Sequence, residues 1–278
     1  MIMKRWMNQQ PSRTMRVVLG LLPFMLLLLI YALASQARLA ENPNDKLLPG
    51  LDAMVTAIDL LAFQPDRRSG EYLFWNDTWA SLQRIGLGIG ISAALGLIFG
   101  IVNGALPLVR AKLSPVITAI SLVPPMAILP ILFIIFGLGE LSKVMLIVIG
   151  TAPFIIRDLQ QRTMSVPEEQ LIKAQTLSAN SWQVIIRVLL PQVTPRLLSA
   201  MRLSLGTAWL FLIAAEAIAA TEGLGYRIFL VRRYLSMEVI LPYVAWITTL
   251  AFLLDWTLVR VSRWAFPWYH AAEAGEGK

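Results

Sequence analysis

The feature that most limits the fold of this chain is a series of apolar runs long enough to cross a lipid bilayer. The first run, residues 17–34, contains no charged residue. A helix needs about 20 such residues to span the hydrocarbon core. The composition agrees, because 57% of the residues are hydrophobic and 15% are charged, whereas soluble domains average roughly 45–50% and 25%. We therefore predict an all-α integral membrane protein.

The rare residue types narrow the function. The chain has no cysteine and one histidine, His270, which excludes disulfides and thiolate chemistry and argues against a histidine metal site. The formal net charge of +7 would suit nucleic acid, but basic residues beside apolar runs are typical of the cytoplasmic side of membrane proteins. We therefore expect membrane lipid around the chain, no metal and no nucleic acid.

The charge between the apolar runs predicts the topology. Residues 1–16 carry four bases and no acid, which predicts a cytoplasmic segment before a first span at 17–34. A cleaved signal peptide is the competing interpretation, because small residues follow the run. Residues 35–84 hold seven acids against five bases, which predicts a periplasmic loop. Apolar residues at helical spacing between 47 and 62 predict an amphipathic helix at the membrane interface within that loop.

The region 85–263 contains five further apolar runs, which predict five more helices, before a tail at 264–278 with an interfacial cap and a disordered end. The predicted spans are 85–106, 116–136, 141–156, 197–220 and 239–259. Within the first of them, small residues at four-residue intervals predict close packing against another helix: Gly96, Gly100 and Gly104.

Two features of these spans make their residues candidates for a translocation pathway. The span at 116–136 contains Pro124, Pro125 and Pro130, which free backbone carbonyls that neighbours or a polar path must satisfy. Glu216 is the one acid placed well within an apolar run, and a carboxylate there is costly enough to suggest a function. A structural hydrogen bond to a neighbouring helix is the other interpretation of Glu216.

A polar and basic segment, residues 157–196, separates the fourth and fifth spans, and its charge predicts a cytoplasmic location. Two capping patterns, Ser165 with Glu168 and Asn180 with Gln183, predict two short helices, the second ending at Pro191. Each helix has apolar residues on one face. Those faces would pack on the membrane helices or dock into a groove on another subunit.

This segment resembles the cytoplasmic signature of the membrane subunits of binding-protein-dependent ABC importers, which reads Glu-Ala-Ala, three residues, Gly, nine residues, Ile, one residue, Leu-Pro. The end of the signature falls on Val188, Leu190 and Pro191. Its glycine falls on Ser178, and its Glu-Ala-Ala falls on Ile172, Lys173 and Ala174. The resemblance implies that residues 157–196, the coupling segment, contact an ATPase through these positions and four neighbours: Glu168, Glu169, Ala179 and Trp182.

Two further blocks, residues 122–143 and 205–228, resemble the importer permeases for nitrate, taurine and alkanesulfonates. Relative to that family, residues 64–76 look like an insertion, whose aromatic residues would anchor it at the interface or help receive a binding protein: Tyr72, Phe74 and Trp75. The family implies a homodimer of six-helix subunits in the bacterial inner membrane, with both termini cytoplasmic. It also implies two cytoplasmic ATPases and a periplasmic solute-binding protein.

The chain has no Gly-x4-Gly-Lys-Ser/Thr motif, so ATP and Mg²⁺ are expected to bind the partner ATPases and not this chain. We therefore expect a permease subunit that is not itself an enzyme and moves a nitrate-, sulfonate- or taurine-like solute. One alternative is an ion-coupled secondary transporter that uses Glu216, which predicts internal repeats. Another is a membrane scaffold, which leaves the intramembrane prolines and acid unexplained.

Overall fold

The computed structural model describes residues 11–43, 45–67 and 69–276, and every regular element within them is helical. A five-residue π-helical turn, Ile185–Leu189, joins α8 to α9. The helices in chain order are α1 Arg13–Glu41, α2 Leu51–Phe63, α3 Leu73–Ala105, α4 Pro107–Leu122, α5 Pro125–Phe136, α6 Glu140–Met164, α7 Glu168–Thr176, α8 Ser181–Val184, α9 Leu190–Ala219, α10 Leu224–Arg232, α11 Met237–Ala265 and α12 Pro267–Glu276.

Four helical stretches among the described residues are long and apolar enough to cross a membrane, and they correspond to α1, α3, α8 with α9, and α11. The bent pair of α4 and α5 would add a fifth. Helix α6 is the remaining predicted span, and it carries charged residues at both ends. The arrangement of six spans therefore stays a prediction. Of the predicted cytoplasmic segment 1–16, residues 1–10 lie outside the described part.

Helices α3, α6 and α9 form the centre of the subunit. A Cβ atom added to Gly96 would lie 2.3 Å from Cγ2 of Ile155, so α3 and α6 approach too closely for a side chain there. One turn earlier, the hydroxyls of Ser92 and Thr151 lie 2.8 Å apart. The structure thus confirms that the row of small residues is a helix contact.

The predicted third span at 116–136 is not one helix but is broken at its prolines. Helix α4 ends at Leu122 and α5 begins at Pro125, and the two helices are bent by 96°. The cause is local, because neither Pro124 nor Pro125 has an N–H to donate to the preceding turn. Pro125 instead occupies the start of α5, where a missing N–H costs nothing.

The polar loop before the second span is also shorter than predicted. Helix α3 begins at Leu73 and not near residue 85, because the charged residues of its first turns have partners inside the protein. Phe74 is buried and lies 5.3 Å from the ring of Tyr243 in an edge-on contact. The prediction that Phe74 anchors an insertion at the interface is therefore wrong, because it belongs to the core.

The amphipathic helix predicted between 47 and 62 is present as α2, which begins after Gly50. Its Ala62 is buried in the main apolar core, so α2 packs on protein as well as facing outward. The preceding turn is tied to α1, since the Tyr31 hydroxyl donates to the carbonyl of Pro49 at 2.7 Å.

The capping signals in the coupling segment have different outcomes. The Asn180 and Gln183 capping box is confirmed, with hydrogen bonds of 2.8 and 3.0 Å between side chains and backbone N–H groups. The cap predicted at Ser165 is wrong, because its hydroxyl donates to the Arg162 carbonyl at 2.8 Å and Pro167 precedes α7. Ser165 therefore ends α6 and does not begin α7.

The second short helix does not end at Pro191, contrary to the prediction. The chain continues as a helix from Ser181 to Ala219, because the π-helical turn widens the backbone just before the proline. In that turn the N–H of Leu190 donates to the carbonyl of Ile185. The wider turn gives the Pro191 ring room, and single π-helical turns inside α-helices are frequent at functional sites.

The predicted disordered end of the tail is helical in the described residues, where α12 reaches Glu276. The Arg196 guanidinium of α9 lies 4.8 Å from the centre of the Tyr269 ring. The Ser262 hydroxyl and Nε2 of His270 are 3.1 Å apart. These contacts hold α12 against the membrane helices, and no sequence pattern predicts them.

Candidate functional site

The turn of the coupling segment lies between α7 and α8. Ser178 has a φ of 63°, in the left-handed region that favours glycine. The N–H of Ala179 donates to the carbonyl of Ala174 at 3.1 Å, and the N–H of Ser178 donates to that of Gln175 at 2.9 Å. These two bonds form a Schellman motif, which commonly has glycine at its left-handed position. The backbone therefore explains why Ser178 aligns with the glycine of the signature.

Among the exposed apolar side chains of this segment, three lie next to the turn. The exposed fractions are 56% for Ile172, 77% for Leu177 and 67% for Trp182. They lie on α7, at its end and on α8, so they border the turn from both sides. We call these three residues the outward face. A cluster of apolar side chains that water surrounds in the isolated subunit is typical of an interaction surface.

Other apolar residues of the segment pack inward. Leu171 and Ala174 of α7 pack against the core cluster that contains Leu159 and Leu189. The structure thus divides the predicted apolar faces between two roles. The inward residues fix α7 and α8 on the ends of the membrane helices, and the outward face stays available for a partner.

The other predicted contact residues surround this surface. Glu168 and Glu169 are exposed in the first turn of α7, and Lys173 is exposed in its last turn. Each charge complements the helix dipole at its own end. Val188 and Leu190 are half-buried, and Pro191 is exposed at the start of α9. The signature positions after the turn therefore support the segment more than they present a surface.

A cavity of about 500 Å³ lies beside the break between α4 and α5. Ser121 and Pro125 line it from the two sides of the break, Pro153 lines it from α6, and Phe211 lines it from α9. Arg157 adds a cationic side chain to the lining. The volume lies within the range of small-molecule sites.

Glu216 lies elsewhere, at the buried end of an ionic cluster. Its side chain is fully buried, and Nη1 of Arg84 donates to its Oε1 at 2.8 Å. The Ser81 hydroxyl donates to the same carboxylate at 2.8 Å, and the N–H of Gly225 donates at 2.8 Å. Arg84 also pairs with Glu140 of α6. We call these residues the Arg84 cluster, and it joins α3, α6, α9 and α10.

A second buried ion pair lies one turn away on α3. Nε of Arg227 donates to Oδ2 of Asp77 at 2.7 Å, and the Tyr243 hydroxyl donates to the same oxygen at 3.2 Å. Oδ1 of Asp77 accepts from the N–H of Gly223 at 2.9 Å. Burial alone lowers the pKa of Arg227, but the hydrogen bond and charge of Asp77 outweigh it, so the net shift is upward.

The four pathway candidates do not form one site. Pro125 lines the cavity and Pro130 lies within α5 with its ring exposed, whereas Glu216 is enclosed in the Arg84 cluster. No sequence pattern identified Arg84 and Asp77 as ionic partners. One signal could have found Arg84, since a carboxylate inside an apolar run requires a cationic or hydrogen-bonding partner.

Residues 86–266 match the protein family described as binding-protein-dependent transport system inner membrane component. The taurine transport system permease protein TauC of Escherichia coli (strain K12) is 37% identical over 195 residues, covering 70% of this chain and 71% of that protein. The putative aliphatic sulfonates transport permease protein SsuC of Bacillus subtilis (strain 168) is 33% identical over 154 residues, covering 55% of this chain and 56% of that protein.

The fold has a solved counterpart. An inward-facing structure of the MetNI methionine ABC transporter superposes with a TM-score of 0.62 at 20% identity, covering 71% of this chain and 98% of that chain. The family match extends over more than half of the chain and includes the coupling segment. The chain therefore belongs to the family of binding-protein-dependent transport system inner membrane components, and it is the transmembrane subunit of an ABC importer.

Proposed function

We propose that two copies of this chain form the pathway of an inner-membrane importer, with both termini in the cytoplasm. Two cytoplasmic ATPases dock on the coupling segments, and a periplasmic binding protein delivers the solute. ATP and Mg²⁺ bind those ATPases, so this subunit moves solute and catalyses no reaction of its own. The observation that carries the proposal is the outward face of Ile172, Leu177 and Trp182.

The outward face supports docking because its exposure has no explanation within one subunit. Three large apolar side chains border a turn whose geometry a full Schellman motif fixes. Short amphipathic helices bind partners by placing such anchors in a groove. Glu168 and Glu169, exposed on the first turn of α7, would add polar contacts at the rim.

For the solute, we propose a small sulfonate or related oxyanion. The relatives named above are a taurine transport system permease protein and a putative aliphatic sulfonates transport permease protein, and both kinds of solute carry a sulfonate group on a carbon chain. The pathway would pass the α4–α5 break, where Pro124 and Pro125 interrupt the helix and Pro130 follows within α5. An ion-coupled mechanism through Glu216 is disfavoured, because that carboxylate is fully buried and paired with Arg84.

Copurification of the ATPase tests the docking proposal. We expect Trp182→Ala to weaken ATPase association about thirtyfold, since truncating one buried anchor costs about 2 kcal/mol. The matched control is Trp79→Ala, which removes an indole that is similarly exposed on α3. Both variants should insert and dimerise normally. If Trp182→Ala showed wild-type ATPase binding and uptake, the coupling segment would not be the docking site.

The proposed orientation has its own test on the cysteine-free chain. A cysteine at Ser69 should react with an impermeant thiol reagent in intact cells, and a cysteine at Gln175 should react only after the cells are opened. Both positions are exposed, so burial does not confound the labelling. The reverse pattern would place the coupling segment outside and end the proposal.

A further inference from the structure

One cation on α6 has hydrogen-bonding capacity that the subunit does not use. The exposed guanidinium of Arg157 makes one hydrogen bond among the described residues, from Nη1 to the Ser121 hydroxyl at 3.1 Å. It forms no ion pair with any residue that the structure describes, whereas Arg84 has three carboxylate partners. A guanidinium has five N–H donors, so Arg157 can still bind an anion through two parallel bonds.

The surroundings of Arg157 form a site for a small ligand. Arg157 lines the cavity of about 500 Å³ at the α4–α5 break, together with the Ser121 side chain. The one acid in the lining is Asp158, whose Oδ1 lies 4.0 Å from Nε of Arg162. That acid thus has a base of its own, and Phe211 and Pro153 supply an apolar wall.

A second cavity, of about 300 Å³, continues along the same two helices. Arg157 and Gln161 line both cavities. On α4, hydroxyl side chains follow at three- and four-residue intervals, which places them along one helix face: Ser114, Thr118 and Ser121. Ser114 and Thr118 line the second cavity with Gln160 of α6, so polar groups extend from the break along the α4–α6 interface.

We propose that Arg157 and Ser121 bind the anionic group of the solute beside the α4–α5 break, and that the hydroxyls of Thr118 and Ser114 guide it onward along α6. This inference rests on the proposed importer function and identifies the chemistry of its pathway. Arginine suits the role because its planar guanidinium can donate two parallel hydrogen bonds to the oxygens of a sulfonate, carboxylate or phosphate. The apolar wall would receive the short carbon chain.

An anionic lipid headgroup presents the same chemistry as a free oxyanion, so the experiment must separate the two. The probe is ethanesulfonate, and its uncharged counterpart is ethanesulfonamide. Binding is measured by saturation-transfer NMR on the purified permease–ATPase complex in nanodiscs without binding protein. One set of nanodiscs contains phosphatidylcholine only, and the other contains phosphatidylglycerol.

We expect the wild-type complex to bind ethanesulfonate at least about tenfold more tightly than ethanesulfonamide, the ratio that one charge-assisted hydrogen bond provides. Arg157→Gln should abolish this preference, and Arg157→Lys should keep most of it. Ser121→Ala should reduce it to a smaller extent. Lys112→Gln is the matched control, because Lys112 is an exposed base on α4 that lines neither cavity, and it should leave the preference unchanged.

Two results would overturn the subsite while the importer function stands. One is an equal preference in wild type and Arg157→Gln, with the ATPase bound in both. The other is that the preference for ethanesulfonate is lost in nanodiscs that contain phosphatidylglycerol, and that the wild type binds this lipid whereas Arg157→Gln releases it. That result would identify a lipid site. If the wild-type chain bound no ATPase at all, the proposed function would fail and the subsite with it.

Discussion

The Arg84 cluster and the coupling segment differ in what they bury and what they expose within one subunit. In the cluster, the charges of Arg84 and Glu216, which lipid or protein would penalise, are buried, and each has a partner on another helix. In the coupling segment, apolar side chains that water would penalise are exposed in the isolated subunit, among them the three of the outward face. The ion pairs of the cluster are complete within one chain, whereas the segment is the surface that we propose for contact with an ATPase.

From this difference we expect the Arg84 cluster to hold the subunit together and the coupling segment to act on a partner. A fully satisfied buried network fixes the relative positions of its helices, and removing one member leaves the others unpaired. An exposed apolar surface adds nothing to the stability of the isolated chain. Mutations in the two regions should therefore affect different measurements, folding in one case and association in the other.

The largest effect is expected from Glu216→Ala, which leaves the buried guanidinium of Arg84 without its closest buried partner. Breaking a buried ion pair costs about 3–5 kcal/mol, so the purified variant should have a much lower Tm in detergent and a low yield. Glu222→Gln is the control, since Glu222 lies at 3.8 Å from the same arginine and its side chain is 43% exposed. An exposed pair is worth about 0–1 kcal/mol, and a stable Glu216→Ala would mean that the cluster does not hold the helices.

A smaller effect is expected from Asn180→Ala, which removes the confirmed cap of α8. Losing such a cap costs about 1 kcal/mol. The loss is confined to the coupling segment, so ATPase copurification should fall while the Tm of the membrane helices changes little. Gln192→Ala is a nearby control, because it removes an amide that bonds Gln170 and the Val188 carbonyl. Unchanged association in Asn180→Ala would show that docking does not require an ordered α8.

The smallest effect is expected from Ser178→Gly, and it should be favourable. A left-handed conformation costs a residue with a side chain roughly 1–2 kcal/mol. Glycine avoids this cost, but it loses more conformational entropy on folding, which offsets part of the gain. The variant should therefore keep full uptake with equal or slightly stronger ATPase association. Ser178→Val is the informative partner, since a β-branched side chain is disfavoured at positive φ, and it should weaken association. The opposite order of the two variants would contradict the turn geometry.

The family and the coupling turn could be predicted from the sequence, because both depend on local patterns. Apolar runs identified the membrane helices, the Asn180 and Gln183 pair identified the start of α8, and the spacing of the signature placed Ser178 at the turn. The position of Ser178 at the turn does not depend on a contact with a distant part of the chain. A left-handed residue after a short helix is a property of a few consecutive residues.

Only the tertiary structure decided which polar residues meet. Arg84 and Glu216 are far apart in the sequence, and their partnership arises because α3 and α9 pack side by side. The same packing turned the charged first turns of α3 into helix, where the sequence predicted a loop. Charge alone indicates that a residue prefers water. It does not indicate that another helix will supply a carboxylate in place of water, because that depends on contacts between distant segments.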